Sequence, residues 1–233
     1  MTTDSESPHP LLVTTEWLEQ HLDDPNLVLI DCGAPDAYRR AHIPNAVSIS
    51  HDPFLKGAEN SKLVMPKEEF ETLVRALGVS NNTSVIVYDD SPSMNAARAW
   101  WVFERFGHND LRVLDGGISA WIAEGRLMTS RSTSHEPGTF TANMYESHHC
   151  RIEDVRSAIE DPNIQIWDTR SEGEWSGENS RGNERVGHIP GAIWLEWLRL
   201  LQEPPVGRFR PLDEIRQILV TAGIDPEAET ITY

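Results

Sequence analysis

The chain has 233 residues, 39% of them hydrophobic with eight Trp and six Phe, which is enough apolar side chain to close real cores and unlike a disordered composition. Its 37 acidic against 20 basic residues leave a formal charge of −17, which repels phosphate backbones and anionic lipid and argues against nucleic acid or a membrane as partner. The opening MTTDSESPHP lacks a basic segment followed by an apolar one, and no run approaches a membrane span, so the cytoplasm is the expected location. Cys32 and Cys150 stand far apart without C-x-x-C spacing, which implies neither a disulfide framework nor a zinc site.

In chain order, the run Leu27 to Ile30 reads as a short buried strand, followed by an acidic and aromatic segment and then His42-Ile-Pro-Asn-Ala. Ala46 to Ile49 reads as a second strand. Glu69 to Leu77 places Phe70, Leu73, Val74 and Leu77 on one helical face. Val85 to Tyr88 is another apolar strand, the segment Ala96 to Phe106 carries Trp100, Trp101, Phe103 and Phe106, and Leu111 to Leu114 closes the series. Strands separated by helices predict a parallel sheet covered on both faces, an α/β fold, with ligands beyond the carboxyl ends of the strands. The stretch from Arg126 to His149, rich in Ser, Thr, His and Pro, reads as a surface linker between a first domain at 10–125 and a second at 150–233.

The second domain repeats the first. LVLIDCGAPDAYRRAHIPNA answers IQIWDTRSEGEWSGENSRGNERVGHIPGA, and EEFETLVRALGVSNNTSVIVY answers DEIRQILVTAGIDPEAETITY. His42 and His188 are 146 residues apart, Tyr88 and Tyr233 are 145 apart, and Asp31 and Asp168 are 137 apart. The second copy therefore holds about nine additional residues around SGENSRGNE, where a loop absorbs them.

These segments, together with VLDGGISAW, resemble the tandem-domain rhodanese sulfurtransferases of the thiosulfate and 3-mercaptopyruvate type. The resemblance implies two α/β domains, each with a five-stranded parallel sheet flanked by helices. It also implies a nucleophilic Cys directly after the fourth strand of the second domain, which carries sulfane sulfur as a persulfide and needs no cofactor. A thiolate there requires backbone N–H donors at a helix N-terminus. In the first copy SVIVY is followed by Asp89, no sulfur nucleophile, with Ser91 to Arg98 as the corresponding loop. In the second copy ETITY ends at Tyr233, so the nucleophile belongs at position 234, no catalytic residue lies within 1–233, and this second domain is expected to be incomplete at its C-terminus. The position of that end favours a nonsense or selenocysteine codon over an arbitrary boundary, and it predicts an inactive chain whose second domain is partly disordered or needs a partner.

Among single residues, Cys32 reads as a buried structural thiol and Cys150 as a linker residue. Asp31 and Asp168 end apolar strands and need donors, with Arg170 a natural partner for the second. His42 and His188 read as turn-fixing residues. The expected partners are a small sulfur-bearing anion and a thiophilic acceptor, with Arg170, Arg181 and Arg185 as candidates for holding the anion. In vertebrate relatives an Arg follows the Gly of the D-x-R-x-x-G segment, whereas Glu174 stands there here, which weakens a clamp of that type. A rival reading is a rhodanese module without chemistry that binds a protein or an anion through Asp89 to Arg98. A phosphatase of related fold would require a longer Cys loop ending in Arg, and none is visible.

Overall fold

The fold comes from a computed structural model that describes residues 9–49, 55–57, 63–90, 94–145 and 149–233. The chain divides into two compact units, one of Met1–Glu146 with Glu203–Arg208 and one of Ser147–Gln202 with Phe209–Tyr233.

The first unit runs β1 (Leu12–Val13), α1 (Thr15–His21), β2 (Leu27–Asp31), α2 (Pro35–Arg40), β3 (Val47–Ser48), α3 (Lys67–Ala76), β4 (Ser84–Tyr88), α4 (Met94–Arg105), β5 (Leu111–Leu114) and α5 (Gly117–Ala123). Its five strands lie in the order β1-β5-β4-β2-β3, all parallel. Strand period sorts the core into two layers. Val28, Ile30, Val85 and Val87 face α3 and α4 through Phe70, Val74 and Phe103, while Leu27, Leu29, Ile86 and Tyr88 face Leu18, Tyr38 and Trp121. Burial of both faces is why these strands read as unbroken apolar runs.

The stretch expected to be a surface linker does more than cross the surface. Phe140 and Ala142 are buried and join the Phe70 cluster, with Phe140 edge-on to Phe70 at 5.8 Å between ring centroids. Arg75 Nε donates to the Phe140 carbonyl at 2.7 Å, and the Thr141 N–H donates to Asn81 Oδ1 at 2.8 Å. Gly138 passes so close that a Cβ there would lie 2.0 Å from the Val79 carbonyl oxygen. Polar composition concealed this because its Thr and Asn groups bond the first unit's backbone and side chains instead of water alone.

The second unit runs α6 (Ile152–Glu160), β6 (Ile164–Asp168), α7 (Glu172–Ser176), β7 (Ile193–Trp194), a 3₁₀ turn (Trp197–Leu200), α8 (Leu212–Ala222) and β8 (Glu229–Thr232). Its sheet has the order β7-β6-β8, again parallel, matching β3-β2-β4 of the first unit strand for strand. Its buried apolar side chains are Ala158, Ile166, Leu195, Leu201 and Ile224. Among the described residues β8 pairs with β6 alone, whereas β4 is paired with both β2 and β5. No helix among the described residues is long and apolar enough to cross a membrane.

Candidate active site

Both units build the same frame at the carboxyl edge of the sheet. Asp31 ends β2, is almost fully buried, and accepts from the Gly33 N–H and from the Tyr88 hydroxyl, each at 2.7 Å. The Tyr88 hydroxyl in turn accepts the Ile43 N–H at 3.3 Å, which ties the His-Ile-Pro turn to the end of β4. His42 is fully buried, stacks on Tyr38 at 3.8 Å, and has Nδ1 2.7 Å from the Tyr38 carbonyl. These contacts hold the imidazole in place at the start of that turn.

In the second unit Asp168 ends β6 and is fully buried, Tyr233 follows β8, and the Tyr233 hydroxyl accepts the Ile189 N–H at 2.9 Å. His188 stacks on Trp175 at 3.5 Å and has Nδ1 3.0 Å from the Trp175 carbonyl. The ladder closes alike at both ends: the Cys32 N–H donates to the Tyr88 carbonyl at 2.7 Å and the Thr169 N–H to the Tyr233 carbonyl at 3.0 Å. The repeat of Tyr at one offset signalled this, although the role of its hydroxyl was not legible.

The two aspartates differ electrostatically. Burial pushes the Asp31 carboxyl above the usual carboxylate range, against the hydrogen bonds from Tyr88 and Gly33. Burial acts in the same direction on Asp168, but the Arg170 side chain overcomes it and holds that carboxyl below the usual range. Arg170 donates from Nε to Oδ1 at 2.9 Å and from Nη2 to Oδ2 at 2.5 Å, and its backbone N–H reaches Oδ1 at 3.0 Å. It also donates to the Gly187 carbonyl at 3.0 Å and lies over the Tyr233 ring at 4.9 Å.

Of the other expected anion-holding residues, Arg181 pairs with Glu174 at 3.3 Å. Glu174 accepts from the Ser171 hydroxyl at 2.6 Å, so it closes the first turn of α7, and Ser171-x-x-Glu174 is the sequence signature for that contact. Arg185 is exposed and has no carboxylate partner among the described residues. The fold therefore gathers Arg170 against Asp168 and leaves Arg181 and Arg185 in the loop before Gly187.

The position after β4 is occupied as the repeat requires. Asp89 is 1% exposed and its Oδ2 accepts the Ala96 N–H at 2.8 Å, in the first turn of α4. Its carbonyl accepts the Ile118 N–H at 3.0 Å, and Gly117, at φ 54°, leaves room there: a Cβ would sit 2.5 Å from that oxygen. Ser91 lies outside the described residues. Arg98, expected in the loop, is instead on α4 with its guanidinium 4.7 Å from the Trp101 ring centroid; the run from Met94 onward has neither Gly nor Pro to delay the helix. Cys32 is fully buried, and burial pushes its thiol well above the ordinary range, with Asp89 and Asp31 adding to the effect, a setting opposite to the one that stabilises a reactive thiolate. Cys150 is exposed, its thiol raised by partial burial and by Asp154 and Glu229. No group of three or more metal-ligating side chains occurs among the described residues.

A duplicated parallel α/β sheet with an Asp, a Tyr and a His-Ile-Pro turn locked at one edge defines a class, and residues 14–124 and 151–233 both match the Rhodanese-like domain family. The chain belongs to that family, as a tandem pair of the sulfurtransferase type. It is 32% identical to the sulfur carrier protein TtuD of Thermus thermophilus, over 97% of this chain and 82% of that protein. The crystal structure of SseA from Escherichia coli, described with 3-mercaptopyruvate sulfotransferases, superposes with a TM-score of 0.83 at 28% identity, covering 96% of this chain and 88% of that one. The fold is shared with 3-mercaptopyruvate sulfurtransferase from Leishmania major, at a TM-score of 0.79 and 22% identity, covering 97% of this chain and 66% of that one.

Proposed function

We propose that the protein moves sulfur from thiosulfate or 3-mercaptopyruvate onto a Cys and from there to a thiophilic acceptor such as cyanide. The observation that supports this reading is the shared frame around Tyr88 and Tyr233, from which we take the position after Tyr233 as the counterpart of Asp89. The reading assigns the nucleophilic thiolate to that position, 234. In the first unit the corresponding carboxylate takes a backbone N–H of the next helix, the kind of donor that an ionised sulfur needs.

With thiosulfate, the thiolate attacks the outer sulfur, the S–S bond breaks, sulfite leaves with the bonding pair, and a persulfide forms. With 3-mercaptopyruvate, the C–S bond breaks and the released carbon takes a proton to give pyruvate. The acceptor then attacks the terminal persulfide sulfur and restores the thiolate; with cyanide the product is thiocyanate. No cofactor enters this scheme. Arg170 keeps Asp168 ionised and rigid at the edge of the site, and the anion is held by arginines of the second unit, for which Arg170, Arg181 and Arg185 are the sequence candidates.

On this reading the nucleophile is neither Cys32 nor Cys150. Thiocyanate and pyruvate formation, measured on the 233-residue chain and on one extended through its downstream reading frame, tests the proposal. Activity confined to the extended chain supports it, and two inert chains favour a binding module without chemistry. The anion-binding form of that module has less support, since the Asp89 carboxylate already fills the first turn of α4.

A further inference from the structure

Aromatic and guanidinium groups follow one another along the carboxyl edge of the second sheet. Arg170 lies over Tyr233, the Trp194 indole N–H donates to the Arg170 carbonyl at 2.9 Å, and the Arg199 guanidinium lies 5.1 Å from the Trp194 ring centroid. Arg199 stands on the 3₁₀ turn directly after β7, and the Trp197 N–H holds that turn beside the end of β6 by donating to the Thr169 carbonyl at 3.1 Å.

Three other cations of the second unit are already neutralised. Arg170 is bonded to Asp168, Arg181 to Glu174, and Arg210 pairs with Glu214 at 3.5 Å. Arg199 is exposed and has no carboxylate partner among the described residues, and its guanidinium lies over the Trp194 ring, whose π face attracts it. Arg185 shares the missing carboxylate but has no ring contact among the described residues. A stacked guanidinium keeps its edge N–H groups free, in a geometry matched to a carboxylate or a sulfur oxyanion.

We propose that Arg199, seated on Trp194, binds the anionic end of the sulfur donor, and so replaces the clamp position that Glu174 occupies without charge complementarity. The proposal rests on the sulfurtransferase reading given above. The carboxylate at the end of β6 does not oppose such binding, since Asp168 is compensated by Arg170.

In the protein extended through its downstream reading frame, Arg199→Ala should raise KM for thiosulfate or 3-mercaptopyruvate roughly tenfold with kcat changed less than about twofold. Arg199→Lys should recover part of the loss, and Arg216→Ala, which removes a surface pair with Glu227, should change neither constant. Unchanged KM in Arg199→Ala, a loss confined to kcat, or a tenfold loss appearing in Arg185→Ala instead would each overturn the assignment. If the extended protein transfers no sulfur, calorimetric titration with thiosulfate separates the two ideas. Binding weakened about tenfold by Arg199→Ala upholds the subsite while the reaction fails; absent binding, or binding indifferent to Arg199, overturns the subsite too.

Discussion

The Tyr88 hydroxyl donates to Oδ2 of Asp31 at 2.7 Å, so the last residues of β4 and β2 are joined across the sheet by side chains as well as by the ladder. The same hydroxyl receives the Ile43 N–H, and its removal leaves a buried acceptor and a buried donor each short of a partner. Tyr88→Phe should therefore destabilise the first unit by about 1–3 kcal/mol in urea unfolding. A change near zero would show that water replaces the hydroxyl.

Phe140 contributes a fully buried ring to the cluster of Phe70, Phe103 and Phe106. Phe140→Ala should cost about 3–5 kcal/mol and lower the melting temperature of the first unit. A loss under about 1 kcal/mol, the level of an ordinary surface substitution, would contradict its placement in the core.

Acid should act on Asp168 and Asp31 with opposite sign. Asp168 has a folded pKa below its unfolded value, so its contribution is present above the ordinary carboxylate value of 3.8 and is lost as pH falls through the folded pKa. Asp31 has a folded pKa above 3.8, so stability falls as pH rises from 3.8 through the raised value. In urea unfolding curves taken across the acid range, Asp168→Asn should be destabilised near neutrality, and its deficit should shrink at low pH. A deficit independent of pH would mean that Asp168 acts by shape rather than charge.

Backbone protection should differ between equivalent strands. The Ser84–Tyr88 amides lie between two paired neighbours, whereas among the described residues Glu229–Thr232 pairs with β6 alone and has a thin apolar layer around it. Hydrogen exchange should be faster throughout the second strand. Equal protection in the two would contradict this account of the second unit.

Long, fully apolar strands and the 3.6-residue face of Phe70 and Val74 were legible because burial on both sheet faces leaves no polar interruption. Short elements were not. Leu12–Val13 is two residues of strand without alternation, and of the expected Ala46 to Ile49 only Val47–Ser48 pairs, beside Asn45 at φ 66°. The aspartates at the strand ends were legible as needing donors, and Arg170 supplies them for Asp168. The seat of Arg199 was not, because its meaning comes from Trp194, whose orientation depends on a carbonyl twenty-four residues earlier.

The Phe140 contact also decides where the first half can be severed. A recombinant fragment ending near residue 125 would lose the Phe140 ring, the Arg75 anchor and the Thr141 bond to Asn81 together, and would expose the apolar surface they cover. Such a fragment is expected to precipitate more readily than one ending after Tyr145, so the sequence between the two repeats belongs to the first fold.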